Sequence, residues 1–170
     1  LKPDEERVVR DTAIRALEAL GLAWGPAHVE LRLTRSGPVI IEVNPRLAGG
    51  FIPEIVRRAT GVDLVMQTVR IAVGLEPQLE RLREWSASIR FLLSEREGVL
   101  QGAEGLDEVR AQAAELDDVQ LYAPPGGAVR LRKDFRDRLG HVLTCRETLE
   151  ETARAVQSAL AAIRLQVQPG

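Results

Sequence analysis

Residues 28–50 read HVELRLTRSGPVIIEVNPRLAGG and contain two strand-like segments separated by a turn. Apolar and polar residues alternate over residues 28–33, which is typical of a β-strand. Residues 39–44 are rich in β-branched residues, and Pro45, which lacks a backbone N–H, is expected to end the second strand. Residues 35–38 are expected to form the turn, so that the two strands pair antiparallel.

Two carboxylates and an amide are expected to project from one face of this hairpin. Glu42 and Asn44 lie two residues apart and therefore share a face of the second strand. Antiparallel pairing lets Glu30 and Glu42 face each other, and Arg46 would share that side if the strand continued past Pro45. Magnesium prefers such oxygen ligands and completes its shell with phosphate oxygens and water.

The stretch resembles the metal-binding end of the ATP-grasp ligases, which include biotin carboxylase, D-Ala-D-Ala ligase, carbamoyl phosphate synthase and the L-amino acid ligases. The resemblance implies that Glu30, Glu42 and Asn44 hold the magnesium or manganese ions that bridge the ATP phosphates. It also implies a catalytic Arg46 that contacts phosphate or an acyl-phosphate intermediate. The alternative is a purely structural hairpin, against which the combined motif, the spacing of the glutamates and the following glycines argue.

Gly49 and Gly50 follow the motif and are candidate substrate-binding residues. Glycines let backbone amides approach a ligand and form an anion-binding nest. A tight turn before a helix is the other interpretation, and both can hold. His28 is a candidate metal ligand or base, although a lone histidine on a strand is more often a packing or hydrogen-bonding residue.

Composition narrows the classes of function. The chain has 170 residues, a net charge of −2 and one cysteine, which suits one large domain or two small ones. The sequence has no basic block that would indicate a nucleic-acid partner, no apolar run long enough for a bilayer and no export signal. Since Cys145 is alone, an internal disulfide is excluded, and a cytoplasmic location is expected.

The predicted fold class is α+β. Residues 1–76 are predicted to form the C-terminal part of an ATP-grasp fold, an antiparallel sheet with flanking helices. Residues 77–170 are predicted to form a small α+β subdomain that resembles the C-terminal subdomain of L-amino acid ligases. Helices are predicted over 4–20, 53–59, 64–73, 105–115 (with Asp107 as its cap) and 148–162, with a short helix inside 74–83; further strands are predicted over 86–94, 98–100, 119–123, 129–132, 141–145 and 165–167.

The chain begins at Leu1 without Met, and nothing in it resembles the glycine-rich phosphate loop and nucleotide lysines of an ATP-grasp enzyme. We therefore expect a piece of an ATP-dependent ligase that joins a small carboxylate to an amine through an acyl phosphate. Its partners would be the missing N-terminal ATP-grasp subdomains and a second copy in a homodimer, and the isolated piece is expected to be inactive.

Two other classes of function stay open at this point. One is a non-catalytic ATP-grasp-like module fused to another enzyme, such as an argininosuccinate lyase-like protein. The other is an oligomerisation or binding domain with no nucleotide role.

Overall fold

The structure, a computed structural model, describes residues 1–115 and 117–169. Leu116 and Gly170, which belong to the predicted second domain, lie outside the described residues. Helices and antiparallel strands are mixed along the chain, which confirms the α+β class. The elements are α1 (Pro3–Ala19), β1 (His28–Thr34), β2 (Gly37–Asn44), α2 (Ile52–Thr60), α3 (Leu64–Ala72), β3 (Ser86–Leu92), β4 (Gly98–Glu104), α4 (Leu106–Ala111), β5 (Asp118–Leu121), β6 (Ala128–Val129), β7 (Gly140–Arg146), α5 (Leu149–Ala162) and β8 (Arg164–Gln168), with a 3₁₀ turn at Phe135–Asp137.

The elements group into two compact units, and α2 belongs almost entirely to the second one although its neighbours in sequence belong to the first. The predicted division of the chain into one domain over residues 1–76 and a second over 77–170 stays a prediction. The two units consist of Leu1–Pro53 with Asp63–Glu80, and of Glu54–Val62 with Arg81–Gly170.

The first unit is built from α1, the β1–β2 hairpin and α3. Helix α1 has Pro3 and three acidic residues in its first turn, where they favour the helix dipole. It ends before Gly21, whose φ of 70° suits glycine. Helix α3 begins after Asp63, whose carboxylate accepts a hydrogen bond from the Met66 amide at 2.9 Å. Helix α1 packs on β1 and β2, so one side of the hairpin is supported by the helix.

The turn of the hairpin is shorter than predicted. Thr34 pairs with Gly37, and Leu33 pairs with Pro38, so only residues 35–36 lie outside the ladder. The Thr34 hydroxyl donates to the Gly37 carbonyl at 2.8 Å and accepts from the Ser36 amide at 3.1 Å. These side-chain bonds close the chain within two residues, with Gly37 at a φ of 110°.

The second unit contains two antiparallel sheets, with strand orders β3–β7–β5 and β6–β4–β8. Helix α5 packs on β3 and β7, and α4 packs on β5. Val142 of β7 is fully buried, and Val156 of α5 is nearly so. Around them the core is completed by Leu92, Leu106, Val119 and Ile163. Among the described residues, no helix combines the length and apolar character needed to span a membrane.

A chain of polar contacts in the second unit surrounds a buried histidine. His141 is fully buried; its Nε2 lies 3.2 Å from Asp118 Oδ2, and its Nδ1 lies 2.7 Å from the Tyr122 hydroxyl. An ionised carboxylate only accepts hydrogen bonds, so Nε2 carries a proton, and in the neutral imidazole Nδ1 then accepts from Tyr122. Burial raises the pKa of Tyr122, which keeps this hydroxyl a donor. On α2, Glu54 accepts from Arg58 Nε at 2.6 Å, and Arg58 lies 4.0 Å from Asp118.

The predicted short helix within residues 74–83 is wrong. The backbone amides of Leu82 and Trp85 donate to the carbonyls of Thr60 and Ala59 at 2.8 and 2.9 Å. These bonds satisfy the last carbonyls of α2, and the segment contains no helical turn. Pro77 further disfavours a helix here, because it lacks a backbone N–H donor.

Two further element predictions need correction. Helix α4 has Gly105 as its N-cap, so Asp107 lies in its first turn and is not the cap. The strand predicted over 129–132 ends at Val129. Two backbone amides beyond Val129 donate to side chains and not to a neighbouring strand. Leu131 N donates to Glu97 at 3.0 Å, and Arg132 N donates to Asp137 at 2.9 Å.

Candidate functional site

The hairpin places the two predicted metal-binding glutamates directly opposite each other. In the antiparallel register Glu30 pairs with Glu42, and His28 pairs with Asn44. Residues that pair in this way project from the same face of a two-stranded sheet. The predicted arrangement of Glu30, Glu42 and Asn44 on one face is therefore present in the backbone pairing.

A β-bulge lies next to the paired glutamates, and the sequence pattern did not indicate it. The register changes after Glu30, because Leu31 pairs with Ile40 and leaves Ile41 without a partner in the ladder. Ile41 is 62% exposed. Bulges bend a strand and re-aim its side chains, and they are frequent beside active sites.

The paired glutamates form an unfavourable electrostatic arrangement on their own. Like charges directly opposite each other destabilise a sheet. Among the described residues, no arginine or lysine forms an ion pair with either glutamate, and the side chain that contacts Glu30 is His28, with Nε2 3.2 Å from Oε1. A cation between the carboxylates would relieve this repulsion.

Asn44 contributes a buried polar atom, the Nδ2 of its side-chain amide. Its Nδ2 is buried and makes no hydrogen bond to any of the described residues. An unsatisfied buried donor costs roughly 1–3 kcal/mol. A phosphate oxygen would accept from this group while the amide oxygen faces a cation, so the residues present fit magnesium bound together with phosphate.

The described side chains of the hairpin would supply only part of a metal coordination shell. Within the described residues, no group of three or more His, Cys, Asp or Glu side chains is arranged to hold a metal ion. The hairpin offers two carboxylates and one amide instead. Further ligands would have to come from a bound phosphate group and from water.

Arg46 lies just beyond the strand. Strand β2 ends at Asn44, and the Arg46 amide donates to the Asn44 carbonyl at 2.9 Å, which turns the chain away from the ladder. The condition under which Arg46 would share the glutamate face, a strand continuing past Pro45, is therefore not met. The guanidinium donates to the Leu47 carbonyl at 2.9 Å and is exposed. Its predicted contact with phosphate stays a prediction.

The two glycines form part of a tight turn before α2. Gly50 has a φ of 64°, and Phe51 follows with a φ of 70°. The Ile52 amide donates to the Gly49 carbonyl at 3.2 Å. A phenylalanine in the left-handed region costs roughly 1–3 kcal/mol, and such strain is concentrated at functional sites. Sequence patterns do not indicate this strain, and the predicted substrate role of Gly49 and Gly50 stays a prediction.

Two family models match this chain, one in each half of the sequence. Residues 1–80 match the model of the carbamoyl-phosphate synthase L chain ATP-binding domain. Residues 90–168 match the model of the L-amino acid ligase C-terminal domain 2.

Two relatives are considerably longer than this chain. Protein y4rH of Sinorhizobium fredii is 37% identical over 96% of this chain, which covers 34% of that protein. Carnosine synthase 1 of Mus musculus is 36% identical over 56% of this chain, which covers 12% of the synthase. The chain thus spans about a third or less of these relatives.

Solved structures share the fold over almost the whole chain. The L-amino acid ligase from Bacillus licheniformis has a TM-score of 0.83 and 25% identity, with 99% of this chain and 42% of the ligase covered. The biotin carboxylase domain of the Hydrogenobacter thermophilus 2-oxoglutarate carboxylase, in a dimer complexed with MgADP and bicarbonate, has a TM-score of 0.67 and 16% identity, with 98% of this chain and 37% of that domain covered. Together with the two family matches, these similarities confirm the resemblance of the chain to the C-terminal portion of the ATP-grasp ligases.

Proposed function

We propose that this chain supplies the magnesium and phosphate site of an ATP-dependent carboxylate–amine ligase that acts through an acyl phosphate. The observation that carries the proposal is the pairing of Glu30 with Glu42, with Asn44 on the same face and no arginine or lysine partner for either glutamate among the described residues. Such a pair is stabilised by a cation and has no evident structural purpose without one.

The three oxygen-bearing side chains would hold the magnesium or manganese ions. Glu30 and Glu42 would each contribute a carboxylate oxygen, and Asn44 an amide oxygen. Bound magnesium would supply charge neutralisation for phosphoryl transfer from ATP. The Asn44 Nδ2 group, buried and without a partner among the described residues, would donate to a phosphate oxygen.

Arg46 and the following glycines would act on the transferred group. The exposed Arg46 guanidinium retains N–H donors beyond its bond to the Leu47 carbonyl, and its planar shape suits two oxygens of a phosphoryl or acyl-phosphate group. The amides of Gly49 and Gly50 would approach the substrate. A Cβ built on Gly49 meets nothing within 4 Å, so the space beside this residue is open to a ligand.

The choice of a carboxylate and an amine as substrates is supported by the similarity to an L-amino acid ligase and a carnosine synthase. Since the chain spans only part of these proteins, the other ATP-grasp subdomains are expected from the rest of the polypeptide. The isolated chain is expected neither to hydrolyse ATP nor to bind magnesium tightly, because phosphate supplies ligands to such sites. A homodimer and a cytoplasmic location remain predictions.

The test uses the polypeptide that contains this chain, incubated with ATP, magnesium, hydroxylamine and a panel of small carboxylates. Hydroxylamine traps an acyl phosphate as a hydroxamate. We expect hydroxamate and ADP to form for a subset of the carboxylates, only with magnesium or manganese, and amide formation when an amine replaces hydroxylamine. Magnesium-dependent ATP binding without hydroxamate would instead indicate a non-catalytic module, and the absence of such binding would contradict the proposed site.

A further inference from the structure

One histidine contacts a proposed metal ligand directly. His28 Nε2 lies 3.2 Å from Glu30 Oε1, and the two residues are separated by one position on β1. The side chain of His28 is 22% exposed, whereas that of Glu30 is 50% exposed. The more enclosed side chain, that of His28, is thus in a position to restrict the more exposed side chain of Glu30.

The chemistry of this contact fixes the direction of the hydrogen bond. An ionised glutamate only accepts hydrogen bonds, so His28 must carry a proton on Nε2 and donate it to Oε1. A nitrogen that carries a proton cannot bind a metal ion through its lone pair. In this arrangement His28 Nε2 is a donor to Glu30, which argues against the interpretation of this atom as a metal ligand.

The contact distinguishes the two oxygens of the Glu30 carboxylate, because His28 binds only one of them. Oε1 is engaged by His28, whereas Oε2 forms no hydrogen bond with any of the described residues. The opposing Glu42 carboxylate repels Glu30 and would favour rotamers that turn it off the shared face. A donor on the same strand holds the carboxylate on that face before any cation arrives and so reduces the rotamer entropy lost on binding.

We propose that His28 is a positioning residue that fixes Glu30 Oε1 and presents Oε2 to the cation. This inference rests on the proposed function, because it assigns His28 a task at the same metal site. Partners of metal ligands that orient them in this way typically contribute a factor of roughly 10–100 in metal affinity or activity.

The test measures manganese binding to the polypeptide that contains this chain, with ADP present, by the electron paramagnetic resonance signal of free Mn²⁺. Four variants are compared: His28→Ala, His28→Gln, Glu42→Gln and Arg32→Ala. Arg32 is the matched control, since it is an exposed residue of the same strand to which we assign no part in the site. Thermal melting of each variant reports folding.

We expect His28→Ala to weaken manganese binding by about 10–100-fold while its melting temperature stays close to the parent value. His28→Gln places an amide N–H near the position of Nε2 and should restore most of the affinity. Arg32→Ala should bind manganese like the parent, and Glu42→Gln should bind it more weakly.

Different results would overturn different statements. Parent-like binding by His28→Ala, together with weakened binding by Glu42→Gln, would overturn the role of His28 and leave the proposed function intact. Failure of His28→Gln to restore affinity in a folded protein would also overturn it, because the donor would then not be the relevant feature. Parent-like binding by Glu42→Gln would contradict the metal site itself.

Discussion

Glu30 and Glu42 face each other as a directly paired couple on the antiparallel strands β1 and β2. Two negative charges in this position raise the energy of the hairpin, and no arginine or lysine in the described part of the chain pairs with them. The protein therefore keeps an unfavourable local arrangement that a cation would make favourable. The proposed function depends on this relationship, and it leads to predictions for stability as well as for activity.

Removing one charge should stabilise the hairpin when no metal is present. Glu42→Gln is expected to raise the free energy of unfolding by about 0.2–1 kcal/mol, because it removes repulsion between paired carboxylates. Urea unfolding of the chain in the presence of a chelator at low salt measures this, with Glu95→Gln as a control at an exposed site in the other unit. The gain should shrink at high salt. A loss of stability would mean that Glu42 has a structural partner.

Replacing Arg46 should affect turnover more than binding. Arg46→Lys keeps the charge but loses the planar group that contacts two oxygens at once. By analogy with removal of one transition-state donor, turnover should fall by roughly 10²–10³-fold, or about 2.7–4 kcal/mol. Steady-state kinetics of the polypeptide that contains this chain give turnover and the apparent ATP affinity separately. An unchanged turnover would show that Arg46 does not contact the reacting group.

The polar contacts around the buried His141 in the second unit should contribute to stability. Tyr122→Phe removes the hydroxyl that donates to His141 Nδ1 at 2.7 Å. Because His141 is fully buried, the expected loss is about 1–3 kcal/mol in the free energy of unfolding. Denaturant unfolding measures it, and Phe135→Leu at a 70% exposed position provides a control expected to change stability by less than about 0.5 kcal/mol. Equal stability of Tyr122→Phe and the parent would show that this hydrogen bond is not needed.

Asp117 should make the second unit sensitive to acid. Burial opposes ionisation of this carboxyl, but hydrogen bonds from Arg146 at 2.7 Å and from the amides of Ala114 and Cys145 outweigh it, so its pKa lies below the ordinary value of 3.8. A folded-state pKa below the unfolded one stabilises the protein above the unfolded pKa. This stabilisation is lost as the pH falls through 3.8 toward the lower folded-state value.

Asp117→Asn should therefore cost about 1.5–3 kcal/mol near neutral pH and have less effect in acid. Urea unfolding across the acid range measures both effects. Asp107→Asn, with a side chain that is 91% exposed, is the control. A cost that does not depend on pH would show that the charge of Asp117 is not what stabilises the unit.

The sequence was sufficient for the main features of the hairpin. Alternation on β1 and the two-residue spacing of Glu42 and Asn44 predict which side chains share a face, and the ladder confirms this pairing. The bulge at Ile41 was not predictable, since period-two alternation does not reveal an extra residue. The contact between His28 and Glu30 depends on side-chain rotamers, which strand periodicity leaves open.

Elsewhere in the chain, hydrogen bonds to residues outside the predicted helix or strand explain why that element does not form. Residues 74–83 have helix-forming residues after Pro77, yet Leu82 and Trp85 are held by carbonyls of α2. Similarly, the alternation beginning at Val129 does not continue as a strand, because Glu97 and Asp137 take the amides that a ladder would need. Such partners are distant in sequence or depend on loop conformation, so local propensity does not identify them.

The most direct test of the proposed function is the magnesium dependence of the ligase reaction in the Glu42→Gln variant of the polypeptide that contains this chain. This substitution keeps the shape of the side chain and removes its negative charge, so the fold should be retained and thermal melting should confirm it. We predict that the magnesium concentration required for half-maximal activity rises and that turnover falls, whereas the Arg32→Ala control behaves like the parent. A folded Glu42→Gln variant with parental turnover and an unchanged magnesium requirement would contradict the assignment of the Glu30–Glu42 pair as the metal site.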